Sequence, residues 1–145
     1  MPVIRDKNQD YDKPIKIGEG TFWVGHFDPV AGWLSSPYLI IDNGDAGYSH
    51  SLNGWTTLTN TLAYGLDYDY HAAGSGTSTA SYTFTGLTNG TYQVLAKWIP
   101  FSNRATNAPY TILNGATPIS TVLVNQQLAP AGEVSNGITW QSLGT

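Results

Sequence analysis

The sequence predicts an all-β protein, an antiparallel β-sandwich of the jelly-roll kind, and three observations carry that expectation. No stretch of ten or more residues shows the 3.6-residue apolar period of an amphipathic helix. Short apolar runs instead alternate with polar residues between Gly, Asn and Pro turns. Charged residues make up only 11% of the 145, while Gly, Thr, Ser, Asn and Tyr are abundant, a profile of all-β modules rather than of helical enzymes.

Taken in order, the polar residues 1–14 read as a flexible lead-in, and order begins near Ile15. "IKIGEGTFWVGH" predicts two short strands around a Gly18–Gly20 turn, and "PYLIID" a buried strand closed by Asn43-Gly44. "TASYTFTGLTNGTYQVLAKW" predicts a hairpin. Ala80, Tyr82 and Phe84 alternate on one arm, Tyr92, Val94 and Ala96 on the other, with Asn89-Gly90 as the positive-φ turn. A second hairpin turns at Asn114-Gly115 between Tyr110–Leu113 and Ile119–Val124, and "GITWQSL" supplies a last strand. At this length one domain, residues 15–145, is expected.

Charge and composition exclude several functions. A net charge of −4, with Lys97 and Arg104 the only basic residues after Lys16, leaves no basic face for nucleic acid. No apolar run is long enough to span a bilayer, and the N-terminus "MPVIRDKNQDYDKP" lacks the apolar core of a signal peptide, so no membrane partner is expected. With 0 Cys there is neither a disulfide nor a thiolate metal site. No G-x-S-x-G elbow, P-loop or dinucleotide fingerprint occurs.

Two segments resemble known families. "IIDNGDAGYSHSLNGWTTL", "YGLDYDYHAAGSGTSTASYTFTGLTNGTYQVLAKW", "SNRATNAPYTI", "VNQQ" and "WQSLGT", over about residues 40–145, resemble the golvesin/xanthan-lyase carbohydrate-binding-like domain. The resemblance implies an extracellular or cell-surface, glycan-associated β module that continues for at least one strand beyond Thr145. "IKIGEGTFWVGHFDPVAGWLSSPYLIIDNGD", over about residues 15–45, resembles the first strands of the metallo-β-lactamase fold, without that family's His-x-His-x-Asp-His run. The chain therefore reads as a chimera joined near "YLIIDNGD", in which residues 15–41 supply strands to a module comprising residues 42–145. An unfilled sheet edge would present unpaired backbone groups and could draw copies into a homo-oligomer.

The candidate ligand-binding residues are aromatics interleaved with polar groups. Trp55, Tyr64, Tyr68 and Tyr70 accompany Asp67 and Asp69 in "GWTTLTNTLAYGLDYDYH", while Asn103 and Arg104 stand in the "SNRATN" loop. Sugars stack their C–H faces on such rings while amides, carboxylates and guanidinium groups bond their hydroxyls. The same rings could fill the core. Arg104 could instead pin its loop through backbone carbonyls between Pro100 and Pro109, with Asp67 or Asp69 as its ionic partner and Asn103 and Asn107 forming Asx turns.

No cofactor is expected from this reading. "DNGD" (Asp42, Asn43, Asp45) and "DYD" (Asp67, Asp69) are nevertheless oxygen donor sets of the kind calcium takes, and His26, His50 and His71, with Asp28, would form a zinc site if the fold gathered them. The functional expectation is a non-catalytic, carbohydrate-binding-like module whose partner is a glycan or polysaccharide. Two alternatives stand beside it: a small metal-dependent hydrolase of phosphoesters or esters built on those histidines, and a structural assembly module.

Overall fold

A computed structural model describes residues 21–28 and 33–145 apart from Leu52 and Asn136, with side chains from Leu39 onward. The flexible lead-in and the Gly18–Gly20 turn lie outside the described residues. The chain is all-β. Its strands are β1 (Thr21–Asp28), β2 (Trp33–Ile41), β3 (Tyr48–His50), β4 (Thr56–Thr59), β5 (Asp67–Tyr70) and β6 (Ala80–Tyr82). They continue as β7 (Tyr92–Lys97), β8 (Ala108–Asn114), β9 (Thr117–Val124), β10 (Val134–Ser135), β11 (Ile138–Thr139) and β12 (Gln141–Gly144). The helical content described is one 3₁₀ turn, Tyr64–Leu66, and no helix among the described residues is long and apolar enough to cross a membrane.

Every pairing is antiparallel. A four-stranded sheet has the order β12-β7-β1-β2, and the remaining strands pair as β3-β6, β4-β5, β8-β9 and β10-β11. The leading segment is thus structural: β1 lies between β2 and β7, with Val24 opposite both Leu39 and Val94. The register with β2 slips between Val24 and His26, and similar slips occur in the β12-β7 and β8-β9 pairings.

The core lies between this sheet and the pairs β3-β6 and β8-β9. Period-two alternation on β7 sends Tyr92, Val94 and Ala96 to one face, where they pack with Tyr82, Tyr110, Ile112, Val124 and Leu143. Leu95 points to the other face and is also buried, against Trp140, Ile40 and Tyr64. A strand buried on both faces reads as a continuous apolar run, and "VLA" does so.

The Asn114-Gly115 hairpin forms as expected, with Asn114 opposite Thr117 and Gly115 at φ 60°. The Asn89-Gly90 hairpin does not. β6 pairs with β3, and β7 pairs with β1 and β12, so the connection crosses between sheets. It buries Phe84 and Leu87 on the way, and it is Gly86, at φ 68°, that takes the left-handed conformation. "PYLIID" closes in a turn at Asp42–Asp45 as expected, with Gly44 at φ 92°. As an edge strand, however, β2 leaves Leu39 exposed. The last strand divides at Trp140 into β11 and β12, and Trp140 donates its backbone N–H to Glu133.

Candidate functional site

The loop after β7 begins with a turn in which the Arg104 N–H bonds the Phe101 carbonyl at 3.1 Å. Its pin is supplied from elsewhere: Gln127 donates its side-chain amide to the carbonyls of Ser102 and Arg104, each at 2.9 Å. Gln126 completes the junction, bonding Ala105 through its backbone and the buried Tyr110 hydroxyl through its side chain at 2.9 Å. "VNQQ" and "SNRATN", distant in sequence, are therefore one structural unit. The expected pinning of backbone by Arg104 is corrected here, because the amide of Gln127 fills that role.

Arg104 turns outward to aromatic rings. Its guanidinium carbon lies 3.7 Å from the Tyr70 ring centroid, 5.1 Å from that of Phe101 and 5.8 Å from that of Tyr68, in the geometry of cation–π contact. Nη1 donates to the Asn103 side-chain oxygen at 2.8 Å and Nη2 to the Tyr68 hydroxyl at 3.2 Å. Asn103 in turn reaches the Tyr70 hydroxyl at 3.5 Å.

"DYDY" makes this arrangement by alternation. On β5, Tyr68 and Tyr70 share one face, where both meet Arg104, and Asp67 and Asp69 share the other. Asp69 accepts from the hydroxyls of Tyr48 at 2.6 Å and of Thr57, its cross-strand neighbour, at 2.7 Å. Asp67 accepts from Asn43 at 3.0 Å. With their oxygens turned to these neutral donors, neither aspartate forms the expected ion pair with Arg104. The approach to β5 is tight: Gly65 at φ 66° and Leu66 at φ 73° are both left-handed, and a Cβ on Gly65 would collide with an Asp42 carboxylate oxygen.

Of these groups Tyr68, Asp69, Tyr70 and Arg104 line a recess of about 40 Å³, whereas Asp67 and Asn103 are not among its lining residues. Tyr64, Tyr68, Asp69, Tyr70 and Arg104 contribute to it as the sequence reading grouped them, and Asn43, His71, Lys97 and Gln126 join them. Lys97 was not among the candidates. It stands half-buried at the end of β7, where burial pushes its ammonium below the ordinary lysine range. Its signal was present in the sequence, since Lys97 and Arg104 are the only basic residues after Lys16.

Trp55 lies outside this recess. Half-buried against the core, it donates its indole N–H to the Ser51 carbonyl at 3.0 Å and stands between two histidines in sequence that both meet it in space. His50 stacks on its ring at 5.3 Å, and His71 meets it tilted, also at 5.3 Å. His71 donates from Nδ1 to the Ala72 carbonyl at 2.7 Å, and its Nε2 lies in hydrogen-bond contact with the Ser78 hydroxyl at 3.1 Å. The side chains of His26 and Asp28 lie outside the described residues. Among the described residues no group of three His, Cys, Asp or Glu is arranged to hold a metal. In "DNGD", Asp45 accepts from the Asp42 backbone N–H at 2.8 Å and so closes the turn.

Residues 39–145 match the family model of the golvesin C-terminal domain. The chain is also 30% identical to xanthan lyase from Bacillus sp. (strain GL1) over 141 residues, 96% of this chain and 14% of that protein's length. No solved structure matches. Neither comparison supports the metallo-β-lactamase resemblance of residues 15–45. The alignment with xanthan lyase is long enough to include that segment, so a joined origin is not needed to account for it.

Proposed function

From the premise that this chain belongs to the golvesin C-terminal domain family, we propose that it is a non-catalytic carbohydrate-binding module of an extracellular or cell-surface protein, and that the Tyr68–Tyr70–Arg104 recess holds its ligand. One observation carries the placement. A guanidinium stacked on Tyr70 and bonded to Tyr68 presents rings, a hydroxyl and N–H donors in one surface. Sugars are gripped by such groups, with ring faces packing on C–H faces and polar edges bonding hydroxyls. The carboxamides of Asn43 and Gln126 also line the recess. The relative supports the reading. Its name attaches it to a polysaccharide, and a match to 14% of an enzyme's length suits an accessory segment that binds.

The test is affinity electrophoresis through gels containing neutral and acidic polysaccharides. At least one polymer should retard the protein, and Tyr70→Ala should abolish the retardation while the thermal melt stays cooperative. If no polysaccharide retards the protein, the reading fails.

A further inference from the structure

Beyond Lys16 the chain has two basic residues, Lys97 and Arg104, and both line the same recess. They reach it from different elements, one at the end of β7 and the other in the pinned loop. Among the described residues no ion pair reaches Arg104, and no hydrogen bond or ion pair reaches the Lys97 ammonium. Arg104 bonds only the neutral oxygens of Asn103 and Tyr68, leaving further N–H groups of its fork unspent. Asp69 is the one carboxylate among the described residues that line the recess, and both its oxygens already accept hydroxyls. The described lining residues therefore carry a positive balance of formal charge, in a chain whose net charge is −4.

Holding an ammonium half-buried is unfavourable, and a desolvated cation gains most from an anion that arrives with its own hydrogen-bond acceptors. The size of the recess narrows the choice. At about 40 Å³ it has room for roughly three water-sized groups, enough for a carboxylate and too little for a pyranose ring. We propose that the recess takes the carboxylate of an acidic sugar, with Arg104 and Lys97 as its cationic partners and the Tyr68 and Tyr70 rings against the sugar itself, so that the module selects uronic-acid polysaccharides over neutral ones. This rests on the glycan-binding reading above. Non-specific attraction is no rival explanation, because a protein of net negative charge repels a polyanion at long range.

The experiment compares electrophoretic retardation of the wild-type chain by polygalacturonate, alginate and hyaluronan with retardation by the carboxyl-reduced form of each. At least one acidic polymer should retard the protein, and carboxyl reduction should weaken that binding about tenfold, the loss expected for a charge-assisted hydrogen bond. Lys97→Met and Arg104→Gln should weaken binding to the acidic polymer by a similar factor, and Arg104→Lys should recover part of it. Equal retardation by the acidic and reduced polymers would overturn the inference and leave the glycan-binding reading standing. Retardation by no polysaccharide at all would overturn both. The polymer comparison uses the intact protein, so it decides even if a variant fails to fold.

Discussion

Lys97 is half-buried without an acid among the described residues, and the sign of its pH dependence follows from that placement. Burial penalises the charged form, so the ammonium of the free protein loses its proton at a lower pH than an ordinary lysine. The unfolded chain, with the ordinary value, holds that proton longer. The free protein therefore pays a desolvation cost on the acid side, which disappears as pH rises from the folded to the unfolded value. Binding of an anion runs the other way, being strongest while Lys97 is charged and declining as pH climbs through its lowered value. Titrating affinity for an acidic polysaccharide from neutral to alkaline pH should show this decline beginning before an ordinary lysine would titrate, and Lys97→Met should remove it. A flat wild-type profile would refute Lys97 as a ligand-binding cation. At this scale Arg104 was legible from the sequence because it stands alone in a neutral stretch, whereas the division of "DYDY" into two faces emerged only with β5. That Lys97 shares the recess was not legible, because a strand end and a loop meet there through long-range packing that no local pattern records.

The element that positions Arg104 is the loop from Phe101 to Asn107, and its order comes from "VNQQ" rather than from the arginine. Gln127 is itself exposed, so each of its two amide bonds adds only about 0.5–1 kcal/mol to stability. Their consequence for binding is larger, because a loosened loop must be ordered again when the ligand arrives. Gln127→Ala should lower the urea midpoint slightly while weakening polysaccharide retardation several-fold; a variant with unchanged retardation would show that the loop is held without it. Elements were legible where pairing is local. The Asn114-Gly115 turn sets the β8-β9 register by itself, whereas Ala80–Tyr82 and Tyr92–Lys97 have the alternation of hairpin arms yet find partners in different sheets. Alternation reports which face is buried and carries no information about which strand lies alongside.

For the whole molecule, the decisive pairing is that of β1 with β7, which joins the leading segment to the family-matched residues 39–145. β7 is deeply buried, with Val94, Leu95 and Ala96 all inside, and it is flanked by β12 on one side and β1 on the other. Removing residues 1–38 would leave the β7 backbone from Tyr92 to Lys97 without its β1 partners, as its register with Thr21–His26 shows. Open edges of this kind either cost the lost hydrogen bonds or recruit another chain. The 39–145 fragment should therefore be insoluble or self-associating, while the full chain gives a cooperative melt. A gentler probe is Val24→Pro. It removes one donor from a strand paired on both sides, where proline is excluded on structural grounds, and should cost about 1–3 kcal/mol through the acceptor left unsatisfied. A monomeric 39–145 fragment with a cooperative melt, or a Val24→Pro variant as stable as wild type, would show that the module closes its sheet without the leading strands. The recess gives a second readout, since Lys97 lies opposite Thr21 in the same ladder. If β1 holds the end of β7 in place, Val24→Pro should weaken polysaccharide retardation even where the protein remains folded.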